Sequence, residues 1–254
     1  MSKEKKKDII LIILLLVFFF ALNYHFFDSK LIDFFESEEI VQIERIVDGD
    51  TLIANRQSVR LLGINTPERG EKYYEEAKQF LESIALNKTA HLKFGRDKID
   101  KYNRTLAYVY INGVNVNLEL VKKGFANIYF LSGKDMYYDD FLTAWENCNE
   151  NLCEISKNVC TACVELKEFD YLNQKIVLKN NCSFSCNLTD WILKAEGRKK
   201  FIFPEFILNP YQDVLISVGN SGDLVWNETT VWTKTGDSLF LWDAENMLIL
   251  WESF

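Results

Sequence analysis

The chain has 254 residues, 48% of them hydrophobic, with only three prolines, which suits one large or two small globular domains and excludes a long proline-rich linker. Its net charge of −8 excludes a global pull towards nucleic acid. The charge is uneven, however: residues 41–130 carry 14 Lys and Arg against 11 Asp and Glu, and residues 131–254 carry 10 against 19, so a polyanion is expected on the first block.

The first element is a basic tip, MSKEKKKD, followed by an apolar run over Ile9–Phe27 that is uncharged apart from His25. At about 1.5 Å per residue such a run crosses a bilayer core as a helix. The lysines before it predict a cytoplasmic N-terminus and an extracytoplasmic remainder. A cleaved signal peptide is the rival reading, although Asn23-Tyr24-His25-Phe26 lacks the small residues of a cleavage site. Residues 29–39 are polar and acidic and read as a stalk after a 1–28 anchor segment.

From residue 40 the hydrophobic period shifts towards two. IVQIERIV and DTLIANRQSVRLLGI predict strands, with a turn at Asn55-Arg56-Gln57. GEKYYEEAKQFLESIAL predicts a helix, because Tyr73, Ala77, Phe80, Leu81 and Ile84 recur at spacings of three and four. TAHLKFG and TLAYVYING return to strand, the second closing on a turn at Asn112-Gly113. VNLELVKKGFANIYF begins as a helix that stops at Gly124, and YYDDFLTAWENCNENLCEISKN predicts one further helix. This order predicts a small β barrel with packed helices over residues 40–159. Beyond Cys163, short apolar runs broken by Gly, Asn and Asp predict an all-β sandwich over residues 160–254. The tryptophans there read as core, with Trp226 and Trp232 the candidates for exposure.

The stretch VDGDTLIANRQSVRLLGINTPE concentrates the chemistry. Asp48 and Asp50 flank Gly49, which is expected to permit an unusual backbone angle. An isolated Asp-Gly-Asp is most often a solvated turn, so its company matters. Arg60 lies on an apolar strand and needs a carboxylate or a phosphate as partner. Pro67 stiffens the loop that carries Glu68. Arg104 stands just before another strand, in DKYNRTLAY. Acids, two arginines and a barrel edge suit holding a phosphodiester beside a hard cation while water attacks it.

These segments, DGDT, RLLGINTPE and DKYNRTLAY in that order, resemble the staphylococcal nuclease (thermonuclease) family over about Val41 to Cys153. The resemblance implies a five-stranded OB-fold barrel and calcium-dependent hydrolysis of DNA or RNA, leaving 3′-phosphates. It implies that Asp50 and the Thr66 carbonyl ligate Ca²⁺, with Asp48 beside them, and that Glu68 orients or deprotonates the attacking water. Arg60 and Arg104 are implied to bind the phosphate and the charge that builds on it, and Lys101 and Tyr102 to flank the nucleotide. Asn65 departs from the pattern, for the best-known member has a metal-ligating aspartate there. An amide oxygen binds Ca²⁺ without contributing charge, which leaves open weaker calcium binding, another ion or a decayed site. Asn103 stands where glycine is common and tolerates a turn.

The segment from about Val164 resembles the lamin tail domain family, an immunoglobulin-like sandwich, through VELKEFD, KIVLKNN, DVLISVGN and GDSLFLWDAENMLIL around Trp191. It implies β architecture and a binding or surface-association role. The six cysteines fit disulfides in an exported protein, with connectivity open, while Cys160, Cys163, Cys182 and Cys186 also have four-cysteine zinc spacing. The leading expectation is a membrane-anchored, outward-facing nuclease. The alternative is an inactive OB-fold module that binds nucleic acid or protein, coupled to an adhesion-type sandwich.

Overall fold

The structure, a computed structural model, describes Phe19 and residues 38–130, 133–219, 221–234 and 237–253. The expected anchor over Ile9–Phe27, Phe19 apart, and nearly all of the stalk lie outside the described residues. Among those described, no helix is long and apolar enough to cross a membrane. Ile40–Phe254 forms one compact unit, which holds the barrel and the sandwich.

The barrel part runs β1 (Glu39–Ile46), β2 (Thr51–Ala54), β3 (Gln57–Leu61), β4 (Gly63–Asn65), α1 (Tyr74–Ala85), β5 (Thr89–Ile99), β6 (Thr105–Ile111), β7 (Val114–Asn115), α2 (Val116–Lys122), β8 (Asn127–Tyr129) and α3 (Tyr138–Glu146). The strands bond in the order β3-β2-β1-β5-β6, and a parallel β3–β6 pairing closes the ring. The expected five-stranded, OB-like barrel is therefore present. Closure removes the free edges of the sheet, and Val41, Ile43, Leu52, Leu61, Leu92 and Val109 are buried in the barrel core.

Helix α1 buries Tyr74, Ala77, Leu81 and Ala85, one stripe at helical spacing. Tyr73 caps the helix from a left-handed conformation, and Tyr74 takes the buried place expected of it. Helix α2 is pinned by buried Asn117, whose amide donates to Leu62 O at 2.8 Å and Ala107 O at 3.1 Å while its oxygen accepts from Val109 N at 3.0 Å.

The helix expected over residues 137–158 ends at Glu146 instead. A disulfide joins Cys148 to Cys153 with Cα atoms 5.8 Å apart. A straight α-helix would separate residues five apart by roughly 8–9 Å, too far for the bridge. The chain turns back there, and Leu152 N donates to Gly124 O at 2.9 Å.

The second part is all β. One sheet holds β9 (Val164–Asp170), β10 (Lys175–Asn180), β15 (Asp213–Val218) and β16 (Leu224–Trp226); the other holds β12 (Ile192–Ala195), β13 (Lys200–Ile202), β17 (Ser238–Trp242) and β18 (Leu248–Ser253). β11 (Cys186–Asn187) and β14 (Ile207–Leu208) form a separate short pair. Disulfides Cys160–Cys186 and Cys163–Cys182 are nested, and no described cysteine is free, so the zinc alternative has no thiolate left to use. Trp226 and Trp232, expected to be exposed, are buried against each other with ring centroids 5.5 Å apart. Trp226 ends β16 and Trp232 lies in the loop that follows, and both belong to the sandwich core.

The two parts share a core. Within β17 the alternation of a strand sends Phe240 and Trp242 into the barrel's hydrophobic cluster and Leu239 and Leu241 into that of the sandwich. Trp145 of α3 meets Phe240 edge-on at 5.2 Å, and Trp242 Nε1 donates to Leu152 O at 3.0 Å.

Candidate active site

The β2–β3 hairpin sets the centre of the site. Asn55 and Arg56 both have positive φ, 46° and 65°, as a type I′ turn requires, and this fixes Thr51 opposite Arg60. Asp50, one residue earlier, then lies beside Leu61, whose N–H its carbonyl accepts at 2.8 Å. Arg60 turns back to place NH2 2.9 Å from Asp50 Oδ2, and both residues are buried. The guanidinium also donates to Leu61 O at 2.7 Å and Ile64 O at 2.9 Å, with Asn65 Oδ1 at 3.5 Å.

The second wall is the loop after β4. Asp50 Oδ2 also accepts from Thr66 N at 3.2 Å, and Oδ1 accepts from Thr51 Oγ1 at 3.0 Å. Gly49 is what lets the two loops meet. Its φ is not in the left-handed region, contrary to the expected unusual backbone angle. A Cβ there would stand 2.8 Å from Thr66 Oγ1 and 2.9 Å from Ala77 Cβ, so close approach makes glycine necessary. Asp48 Oδ1 accepts from Asp50 N at 3.2 Å, and burial followed by the charge of Asp50 pushes its carboxyl above the ordinary range.

Asp48, Asp50, Arg60, Asn65 and Thr66 are thus gathered in one place. Glu68 lies two residues after Thr66 on the same loop, and its carboxylate pairs with Arg198 of the sandwich at 2.6 Å rather than with any of these five. Tyr129 on β8 lies between the two parts: burial, helped by the charges of Asp237 and Glu196, pushes its phenol above the ordinary value against the pull of the Arg60 and Arg198 guanidiniums. Arg104, Lys101 and Tyr102 form a second cluster on the β5–β6 turn. Arg104 donates to Asp100 Oδ2 from Nε at 2.8 Å and pairs with it through NH2 at 2.7 Å. Burial raises the Asp100 carboxyl, but the hydrogen bonds from Arg104 override it and hold it below the usual range. Exposed Tyr102 lies under the Arg104 guanidinium at 5.5 Å and the Lys101 ammonium at 5.0 Å. Asn103 has the positive φ of 63° that its place in the turn demands. Arg104 contacts neither Asp50 nor Glu68; the parallel register, Val59 beside Thr105 and Arg60 beside Leu106, brings it to the strand adjoining Arg60.

The sequence reading missed Arg198 and Tyr129. The available signal was Arg198-Lys199-Lys200, a basic run inside the acidic half of the chain. A cavity of about 230 Å³ lies next to the site, lined by Pro67, Glu71, Lys72, Asn127, Lys194 and Lys200, and burial there pushes the Lys194 ammonium down.

Among the described residues no three His, Cys, Asp or Glu side chains gather as a cation cage. The donors present, two carboxylates, the Thr66 carbonyl and the Asn65 amide oxygen, are all oxygens, which fits a hard cation such as Ca²⁺ better than a thiophilic one. Among the described residues, buried Asn65 Nδ2 has no hydrogen-bond partner, an orphan donor beside that oxygen set.

A closed five-stranded barrel, with a buried carboxylate–guanidinium pair between two loops and a further arginine on its β5–β6 turn, defines an OB-like domain. Residues 58–152 match the staphylococcal nuclease homologue family, and the chain belongs to that family through this domain. It is similar to a thermonuclease of Staphylococcus intermedius, 34% identical over 105 residues, or 37% of this chain and 62% of that protein. A thermonuclease of Staphylococcus hyicus is 28% identical over 133 residues, covering 48% of this chain and 76% of that protein. An uncharacterised protein of Methanocaldococcus jannaschii is 33% identical over 142 residues, covering 43% and 68%. The family match does not extend to the sandwich.

Proposed function

We propose that the chain is a metal-dependent nuclease that hydrolyses DNA or RNA phosphodiesters, with Ca²⁺ as the ion. The observation that carries this reading is the buried Asp50–Arg60 pair at 2.9 Å, locked to Thr66 in the barrel whose residues 58–152 match the family. Asp50, Asp48, Asn65 and the Thr66 carbonyl are the groups that would hold the ion, which when bound neutralises charge on the phosphate. Arg60 and Arg104 bind phosphate oxygens and the charge that develops on them. Glu68 orients or deprotonates the attacking water. Lys101 and Tyr102 flank the nucleotide, the ring offering a stacking face.

The anchored, extracytoplasmic location belongs to the same proposal. Three disulfides suit an oxidising compartment, and the run Ile9–Phe27 suits a membrane span. The sandwich, with its likeness to lamin tail domains, serves as a binding module. The test is incubation of the full-length chain with denatured DNA and with RNA, in Ca²⁺ or in chelator. Calcium-dependent cleavage is expected. Binding without cleavage at neutral to alkaline pH would leave the OB-fold binding module as the correct reading.

A further inference from the structure

The sandwich reaches the nuclease domain through the turn between β12 and β13, residues 196–199. Both flanks of this turn are fixed to the barrel. On one side the buried Glu196 carboxylate accepts from Phe130 N and from Ser238 Oγ, each at 2.8 Å, and its carbonyl accepts from Asn127 Nδ2 at 2.9 Å. Gly197 lies over Tyr129, where a Cβ would stand 3.5 Å from the ring. On the other side Lys200 Nζ meets Glu71 Oε1 at 2.7 Å, on the loop that carries Glu68. Arg198, between these anchors, meets Glu68 Oε1 through Nε at 2.6 Å.

The Arg198–Glu68 pair is not what joins the two parts. Its side chains are 70% and 45% exposed, and a solvated pair of this kind contributes little to stability. The buried bonds of Glu196 and the shared apolar core hold them together. The pair therefore sits in position without being fixed, and a guanidinium exchanges a carboxylate for a phosphate readily because its fork fits both. Lys199, by contrast, is engaged with Glu228 and the Thr230 carbonyl.

We propose that Arg198 is a phosphate-binding residue for the nucleic-acid substrate, supplied by the second domain, and that it holds Glu68 until a substrate phosphate takes its place. This deepens the nuclease reading and rests on it. The test compares the full-length parent, Arg198→Ala and Arg198→Lys. Binding of a fluorescent single-stranded oligodeoxynucleotide is titrated in chelator from 50 to 200 mM salt, and cleavage is assayed separately in Ca²⁺. Arg198→Ala is expected to bind about tenfold more weakly and to lower the slope of log K against log salt by about 0.7, the loss of one single-strand phosphate contact. Arg198→Lys is expected to recover the slope, since any cation there releases a counterion, while an unchanged thermal midpoint separates this from damage to the fold. A parent that cleaves while Arg198→Ala keeps its affinity and slope overturns the inference alone. A parent that binds without cleaving, with the slope reduced in Arg198→Ala, removes the nuclease reading and leaves the contact standing; a parent that does neither overturns both.

Discussion

Arg60 commits part of its guanidinium to the protein, through NH2 to Asp50 and Ile64 and through NH1 to Leu61. Nε and the second NH1 hydrogen have no acceptor among the described residues and are the donors left for the proposed phosphate contact. Two effects of mutation can then be separated. Arg60→Ala leaves a buried carboxylate without its cation and is expected to cost about 3–5 kcal/mol of stability, read by urea denaturation. Glu68→Gln and Arg104→Ala alter partly exposed pairs, so they are expected to leave the denaturation midpoint nearly unchanged while turnover falls by about 10²–10³-fold. A parental rate in Arg104→Ala would place the phosphate elsewhere. Asn65→Asp removes an orphan buried donor and adds a charged oxygen, so calcium activation is expected at lower concentration; an unmoved titration would take Asn65 out of the ligand set. Asp50, Arg60 and Thr66 were legible in the sequence because two loops and one hairpin carry them at short spacing. The reason for Gly49 was not, because the surface it must clear belongs to Thr66 and Ala77, a loop and a helix away.

At the scale of elements, turn chemistry was the most readable signal. Asn55-Arg56 and Asn112-Gly113 all adopt the positive φ that their hairpins need. The strands of the two sandwich sheets fell on the apolar runs in the same way, although their order in the sheets was not readable. The end of α3 was not readable, since residues after Glu146 keep a helix-compatible pattern and only the bridge to Cys153 forces the chain to turn. The connectivity of the other four cysteines was equally open, because nested pairing depends on how the turn at Val159–Ala162 docks on β11. Those bridges close loops with separations of 26 and 19 residues. Chain entropy gives about 3 kcal/mol for either loop. The double variant Cys163→Ala/Cys182→Ala is therefore expected to lose about that much stability in urea without reductant. Parental stability would mean that the bridge does not form in solution.

At the scale of the molecule, the change of texture near Cys160 marked the start of a second layer but not its attachment to the first. Every residue of β17 is buried, and a run apolar on both faces gives no sign of which core each face serves. The attachment carries a pH dependence through Glu196. Burial first, and then the charge of Asp237, push the Glu196 carboxyl up to about 7; burial raises Asp237 as well, while the hydrogen bonds from Phe130 N and Ser238 Oγ, and then Lys134, oppose the shift at Glu196. The unfolded chain releases the Glu196 proton near the ordinary glutamate value of 4.5 and the folded chain near 7. Between those values the native state holds a proton that the unfolded state has lost, so stability falls as pH rises and levels off above about 7. The upper bound for this one group is about 3 kcal/mol. Asp100 and Glu71, whose carboxyls are held below the ordinary range, act in the opposite sense only at lower pH, where they take up protons. Glu196→Gln cannot ionise and retains an oxygen to accept from Phe130 N. It is expected to flatten the decline between pH 5 and 7 and to exceed the parent in stability at pH 8. Urea midpoints at four pH values for both proteins decide the matter: parallel curves would show that Glu196 does not titrate across this window, and that the barrel and sandwich hold a charged carboxylate between them without cost.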